Sequence, residues 1–162
     1  MSYKVFLTAD SHFGHENIIR FCNRPFTNVQ EMDDMLVKFW NETVSKNDLV
    51  IHLGDFALGN KEYIENMVSR LNGRKMLVMG NHDTYNPQFY RDAGFAEVSK
   101  FPIIFEKFYM LSHEPLLLSE TTPFFSAFGH VHNDSKYVDT LTSKCVCVER
   151  TNYRPFLLYE KR

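Results

Sequence analysis

The sequence predicts an α/β fold: two mixed β-sheets packed face to face and flanked by helices. Three observations lead there. Over roughly the first 95 residues, apolar strand-like runs alternate with amphipathic helical segments, the pattern of parallel strands joined by right-handed crossovers. Beyond Phe95 the helical period fades and short strand-like runs follow one another. Five of the apolar runs end in a short polar cluster built from Asp, Asn, Ser and His, and these clusters hold five of the seven histidines. In open α/β sheets, ligands sit in the crevice outside the carboxyl ends of the strands. The five clusters are therefore expected to meet along one rim.

The elements follow in order. Val5 to Ala9 is a buried strand running into Asp10-Ser11-His12. Thr27 with Gln30 is read as a capping box for a helix from Asn28 to Val44, whose Met32, Met35, Leu36, Phe39, Trp40 and Val44 share one face. Leu49 to Leu53 is the second strand and runs into Gly54-Asp55. A helix after Asn60 turns Tyr63, Ile64, Met67, Val68 and Leu71 inward and stops near Gly73. Met76 to Met79 precedes Gly80-Asn81-His82-Asp83. Asn86-Pro87 starts a shorter helix that ends by Gly94. Phe105 to Leu111, within a longer run from Phe101, leads to Ser112-His113, and Phe124 to Phe128 leads to Gly129-His130-Val131-His132. Lys144 to Val148 and Pro155 to Tyr159 complete the strands.

The 162 residues read as one domain spanning 1–162, with no linker, repeat or low-complexity segment. Eighteen Lys plus Arg against 20 Asp plus Glu give a net charge of −2, which supplies no global attraction for nucleic acid or an anionic membrane. The 15 Phe and 8 Tyr describe a bulky, ring-packed core. No apolar stretch approaches the roughly 20 residues of a membrane span, and no signal peptide is visible. With an odd count of cysteines, Cys22, Cys145 and Cys147, this favours reduced thiols and a cytoplasmic location. Cys145 and Cys147 fall on one face of a predicted strand and are read as core residues.

The clusters carry the chemistry. A carboxylate can bridge two cations, a neutral imidazole binds one, and Asn offers a carbonyl oxygen. Asp10, His12, Asp55, Asn81, His113, His130 and His132 supply seven such donors, too many for one ion. Two ions roughly 3.5–4 Å apart, sharing a carboxylate, would use them all. The mixed oxygen and nitrogen donors suit manganese, iron or zinc rather than calcium. Manganese is the first choice, with iron, zinc or nickel as alternatives.

Read as D-x-H, G-D, G-N-H-[DE], H and G-H-x-H, in that order, these clusters make the chain resemble the calcineurin-like metallophosphoesterases. The resemblance runs over nearly the whole chain. It extends to His12-Phe13-Gly14-His15-Glu16-Asn17-Ile18-Ile19, Arg24-Pro25-Phe26 and Asn152-Tyr153-Arg154-Pro155, features of a small bacterial and phage subgroup. It implies one ion held by Asp10, His12, Asp55 and His132, and a second held by Asp55, Asn81, His113 and His130. A bridging hydroxide would attack phosphorus. His82 would contact the phosphate and protonate the leaving group, and Asp83 would orient the His82 ring. His15 is read either as a substrate contact or as support for the loop, and Arg24 and Arg154 either as phosphate clamps or as ordinary ion-paired arginines. His52, inside a strand, is read as a hydrogen-bonded core histidine.

The resemblance has departures. Many members carry a hairpin before the fourth motif, and Phe101 to His113 leaves little room for one. Cap domains and nucleic-acid-binding extensions are not visible, so an open site is expected. The function implied is metal-dependent hydrolysis of a phosphodiester or phosphomonoester, with a small phosphoester as the expected partner. A protein-interaction scaffold and a nuclease are the alternatives. The intact ligand set and His82 weigh against the first, and the balanced charge weighs against the second.

Overall fold

The computed structural model describes residues 2–119 and 121–161. Strands β1 (Tyr3–Thr8), β2 (Leu49–His52), β3 (Arg74–Val78) and β4 (Phe95–Ser99) run parallel, and the antiparallel β9 (Phe156–Lys161) closes a five-stranded sheet of order β4-β3-β2-β1-β9. The second sheet has four strands in the order β5-β6-β7-β8: β5 (Ile103–Phe105), β6 (Tyr109–Ser112), β7 (Phe125–Phe128) and β8 (Ser143–Cys145). Its β6, β7 and β8 are parallel.

The two-residue period of the strands sorts side chains into two cores. Val5, Leu7, Ala9, Leu49, Ile51, Met76 and Val78 face Leu111, Ala127 and Val146 across the space between the sheets. Phe6, Val50 and Leu77 point the other way, into a core closed by α1 (Glu16–Phe21), α2 (Val29–Thr43), α3 (Lys61–Arg70) and α4 (Pro87–Ala93). Being buried on both faces, β1 and β2 lack the apolar-polar alternation of a solvated strand.

Helix ends follow local chemistry. Asn60 and Asn86 accept at Oδ1 from the N–H of Tyr63 and Phe89, and Pro87 fills the first turn of α4. The cap of α2 lies one residue later than the Thr27–Gln30 reading. Asn28 accepts from the Glu31 N–H, and the Glu31 carboxylate accepts from the Thr27 N–H and hydroxyl.

The run from Phe101 to Leu111 is not one strand. It folds back as the β5–β6 hairpin, with Phe105 paired to Tyr109. Glu106 and Lys107 both have positive φ (51° and 59°), as a type I′ turn requires, and the Phe108 N–H closes the turn on the Phe105 carbonyl. The Lys144–Val148 run is likewise shorter than expected: β8 stops at Cys145, and a 3-10 turn begins at Val148.

Candidate metal centre

Each predicted cluster lies just past the C-terminal end of a strand: Asp10 and His12 after β1, Asp55 after β2, Asn81 after β3, His113 after β6, and His130 and His132 after β7. The loops are laced to one another. The Asp10 N–H donates to the Gly54 carbonyl and the His12 N–H to that of Asp55. An Ala9–Cys147 bridge and a bond from the Val148 N–H to the Ala9 carbonyl carry the lacing to the segment that follows the second sheet.

All seven predicted donors come together, in two groups that meet at Asp55. Asp10, His12 and His132 form one cluster, and Asp55, His113 and His130 the other. Asp55 Oδ2 is 3.5 Å from His12 Nε2 and also 3.5 Å from His113 Nε2. His132 Nε2 is 3.7 Å and His12 Nε2 3.8 Å from Asp10 Oδ1. His113 Nε2 lies 3.0 Å from Asn81 Oδ1 and 3.1 Å from His130 Nδ1. Donors sharing one cation at about 2.0–2.2 Å, at angles of roughly 90–120°, stand about 2.8–3.8 Å apart, so these spacings fit divalent cations.

Three further observations support that fit. Asp10 Oδ1 and His12 Nε2 are buried without a hydrogen-bond partner, a costly arrangement unless something else occupies them. Asp10, His12, Asp55, His130 and His132 all have positive φ, between 46° and 68°. Such backbone strain, about 1–3 kcal/mol per residue, persists only where the surroundings enforce it and concentrates at functional sites. Finally, a Cβ on Gly80 would stand 2.3 Å from Asp55 Oδ1, and one on Gly129 2.4 Å from Asp10 Oδ2. Glycine before each motif is what lets the carboxylates lie flat against the neighbouring loop.

Electrostatics hold Asp10 and His12 in binding form and His132 in its protonated form. Burial alone would raise the Asp10 carboxyl, but the His12, His132 and His113 rings outweigh it and hold the group at about 2. Burial lowers the His12 imidazole against the opposing pull of Asp10 and Asp55. The His15 ring stands beside it, with Nδ1 atoms 3.2 Å apart, so a His12 that donates from Nδ1 to His15 presents a bare Nε2 to a cation. The His15 imidazole is also lowered, by burial and by the neighbouring His12 and His82. Burial lowers His132 as well, but Cys22, Glu149 and Asp10 outweigh it and lift the ring to about 10. A cation there would have to displace a proton.

Several predicted residues do something else. Arg24 is no phosphate clamp. It is buried, donating to the Asp10 and Ser11 carbonyls and pairing with Glu149 at 2.7 Å. Arg154 pairs with Glu42 at 2.8 Å and lies over the Phe39 ring, on α2. The Asp83 carboxylate does not reach the His82 ring. Its oxygens accept from the N–H groups of Asp55, Gly80 and Phe56, stapling the second and third loops together. Burial raises this carboxyl to about 6 against the pull of those donors. His82 itself is exposed, its N–H on Asp55 Oδ1 and its ring 5.2 Å from that of His12 and 6.0 Å from that of His15.

His52 is the buried, hydrogen-bonded core histidine expected. Its Nε2 is 2.6 Å from Ser11 Oγ, and burial pushes the ring down to about 3. Beneath the donors lies a layer the sequence reading missed. Glu149 accepts from His132 Nδ1 at 3.1 Å. Cys147, whose thiol burial pushes far up, donates to Asp10 Oδ2 at 3.2 Å. Asp33 on α2 accepts from the Gly14 N–H and the Tyr63 hydroxyl, pinning the loop that carries His15. No local pattern signals this layer, since Cys147 and Glu149 lie beyond the end of β8, Glu149 within the 3-10 turn.

The chain is similar to several known proteins. It is 35% identical over 166 residues to an uncharacterized protein of Methanocaldococcus jannaschii, covering 96% of this chain and 87% of that protein. The Gene 66 proteins of two Mycobacterium phages are 36% and 37% identical over 92 residues. Those matches cover 55% of this chain and only 44% of each phage protein. A protein of unknown function from Aquifex aeolicus shares the fold with a TM-score of 0.71 at 24% identity, over 96% of this chain and 95% of that one. A nuclease from Pseudomonas putida superposes with a TM-score of 0.52 at 22% identity, over 79% and 61% of the two chains. The family model described as Calcineurin-like phosphoesterase matches residues 3–159.

Proposed function

The chain belongs to the calcineurin-like phosphoesterase family, and on that premise we propose that it hydrolyses a small phosphodiester or phosphomonoester with two divalent cations. Asp10, His12, Asp55 and His132 would hold one cation, and Asp55, Asn81, His113 and His130 the other. The carrying observation is the Asp55 carboxylate, with one oxygen 3.5 Å from a donor nitrogen of each group. When bound, the cations would neutralise the phosphoryl oxygens and supply a nucleophile at neutral pH. The chain's own residues do the rest. Arg24 and Glu149 hold the Asp10–His12 loop and the His132 ring in place. Asp83 fixes Asp55 against the loop that carries His82. His82 stands exposed beside the site, where its imidazole can give a proton to the leaving oxygen.

A cytoplasmic location is proposed on three unbonded cysteines. No helix among the described residues is long and apolar enough to cross a membrane. A nuclease reading draws on the fold shared with the Pseudomonas protein, whereas a net charge of −2 offers a polyanion no long-range attraction.

The test is a substrate panel. Metal-stripped protein is given manganese, iron, zinc or nickel and assayed at one salt concentration on a bis-aryl phosphodiester, an aryl monoester, a cyclic nucleotide and duplex DNA. Metal-dependent turnover of the small esters, greatest with manganese, is expected. Efficient, steeply salt-dependent cleavage of duplex DNA would promote the nuclease. Inactivity throughout, with metal bound, would revive the scaffold.

A further inference from the structure

A cavity of about 340 Å³ opens beside the Asn81–His113 end of the site, and both of those side chains form part of its wall. The cavity thus abuts two of the candidate metal donors. Its other walls combine apolar side chains, Met79, Phe101 and Leu116, with the charged Lys100 and Glu114. An acyl chain would leave that ammonium and carboxylate facing hydrocarbon. A flat ring system bearing hydroxyl or amino groups would satisfy both kinds of wall. The volume lies at the small end of ligand sites and suits one such group rather than a length of polymer.

Phe101 is 74% exposed, and its backbone is tied down: Ser99 Oγ donates to the Phe101 carbonyl at 2.7 Å and accepts from its N–H at 3.1 Å. A second ring stands at the other donor group. Phe21 is also 74% exposed and meets His15 edge-on with centroids 6.5 Å apart, and His15 in turn is 6.0 Å from His82. One exposed phenylalanine needs no explanation. One at each donor group, with the proton donor on the Phe21 side, suits a substrate with two organic arms.

Resting on the phosphoesterase reading, we infer that the substrate is a phosphodiester carrying a nucleoside-like ring system on each arm, one seated in the cavity on Phe101 and the other on Phe21. The phosphorus–oxygen bond to the Phe21-side arm breaks. Water supplies the new oxygen on phosphorus, and the departing oxygen takes a proton from His82. The arm in the cavity stays esterified, so the product held there is a nucleoside monophosphate.

Calorimetric titration of the metal-loaded protein with adenosine 5′-monophosphate and with inorganic phosphate tests the inference without turnover. Base-on-aromatic stacking predicts that the nucleotide binds about tenfold more tightly than phosphate. Phe101→Ala should erase that difference, while Leu141→Ala, a fully exposed residue outside the site, should preserve it. In steady-state assays on a dinucleoside phosphate, Phe21→Ala should raise KM about tenfold with little change in kcat. Equal binding of nucleotide and phosphate by the wild type would overturn the inference and leave the phosphoesterase reading standing. Binding of neither would take both down. A single-stranded dodecamer turned over far more efficiently than the dinucleotide would also overturn it, since the substrate would then be a polymer read beyond two rings.

Discussion

Replacing Asp55 by Asn is expected to lower phosphoester hydrolysis by more than about 10³-fold, beyond what one electrostatic contact contributes. Asp55 Oδ2 lies 3.5 Å from a histidine of each group. Asn keeps the shape but gives up the charge and one oxygen, so both cation positions weaken together. The loss should not come from unfolding. The Asp55 N–H remains on Asp83, and the amide carbonyl can still accept from the His82 N–H. Without metal, removing one of several carboxylates buried close together should leave Tm unchanged or raise it. Initial rates, together with thermal melts with and without added manganese, check this. The rise in Tm that added manganese should give the wild type should largely disappear in Asp55→Asn. A variant that melts well below the wild type without metal would show that Asp55 is chiefly structural.

His82→Ala should cost about 10²–10⁴-fold in kcat while both cation positions stay filled, the range for a general acid-base group. Its side chain is exposed and makes no hydrogen bond among the described residues that the fold needs. Only the backbone N–H touches Asp55, and alanine retains it. The deficit should shrink for esters with acidic leaving groups, which depart without protonation. Rates across a series of aryl esters, paired with metal content, separate the two roles. Metal loss as severe as in Asp55→Asn would make His82 a ligand and remove its assignment as proton donor.

Much of this site was legible in the sequence because its donors are local. Each sits one to four residues past an apolar run, and a run that ends in Asp or His at a strand terminus carries its own position. The helix starts at Asn60 and Asn86 were legible for the same reason, since a cap reads only the next three residues. The β5–β6 hairpin was not. Its turn uses Glu106-Lys107 at positive φ, without the Asn-Gly or Asp-Gly pair that announces such a turn. Arg24 was undecided between phosphate and ion pair because nothing near it in sequence names a partner. Glu149, 125 residues away, decides it. Asp83 looked like a partner for its neighbour His82, but three N–H groups from two loops claim its oxygens first. Local patterning locates the donors, whereas the layer that orients them is set by tertiary contacts between loops.

The most direct measurement is the number of ions. Elemental analysis of the wild-type protein, purified from metal-supplemented medium and freed of loosely held ions, should approach two transition-metal ions per chain. Saturation at one ion would contradict a centre built on a shared Asp55. So would metal that survives loss of Asp55 but disappears on replacing Cys145 and Cys147.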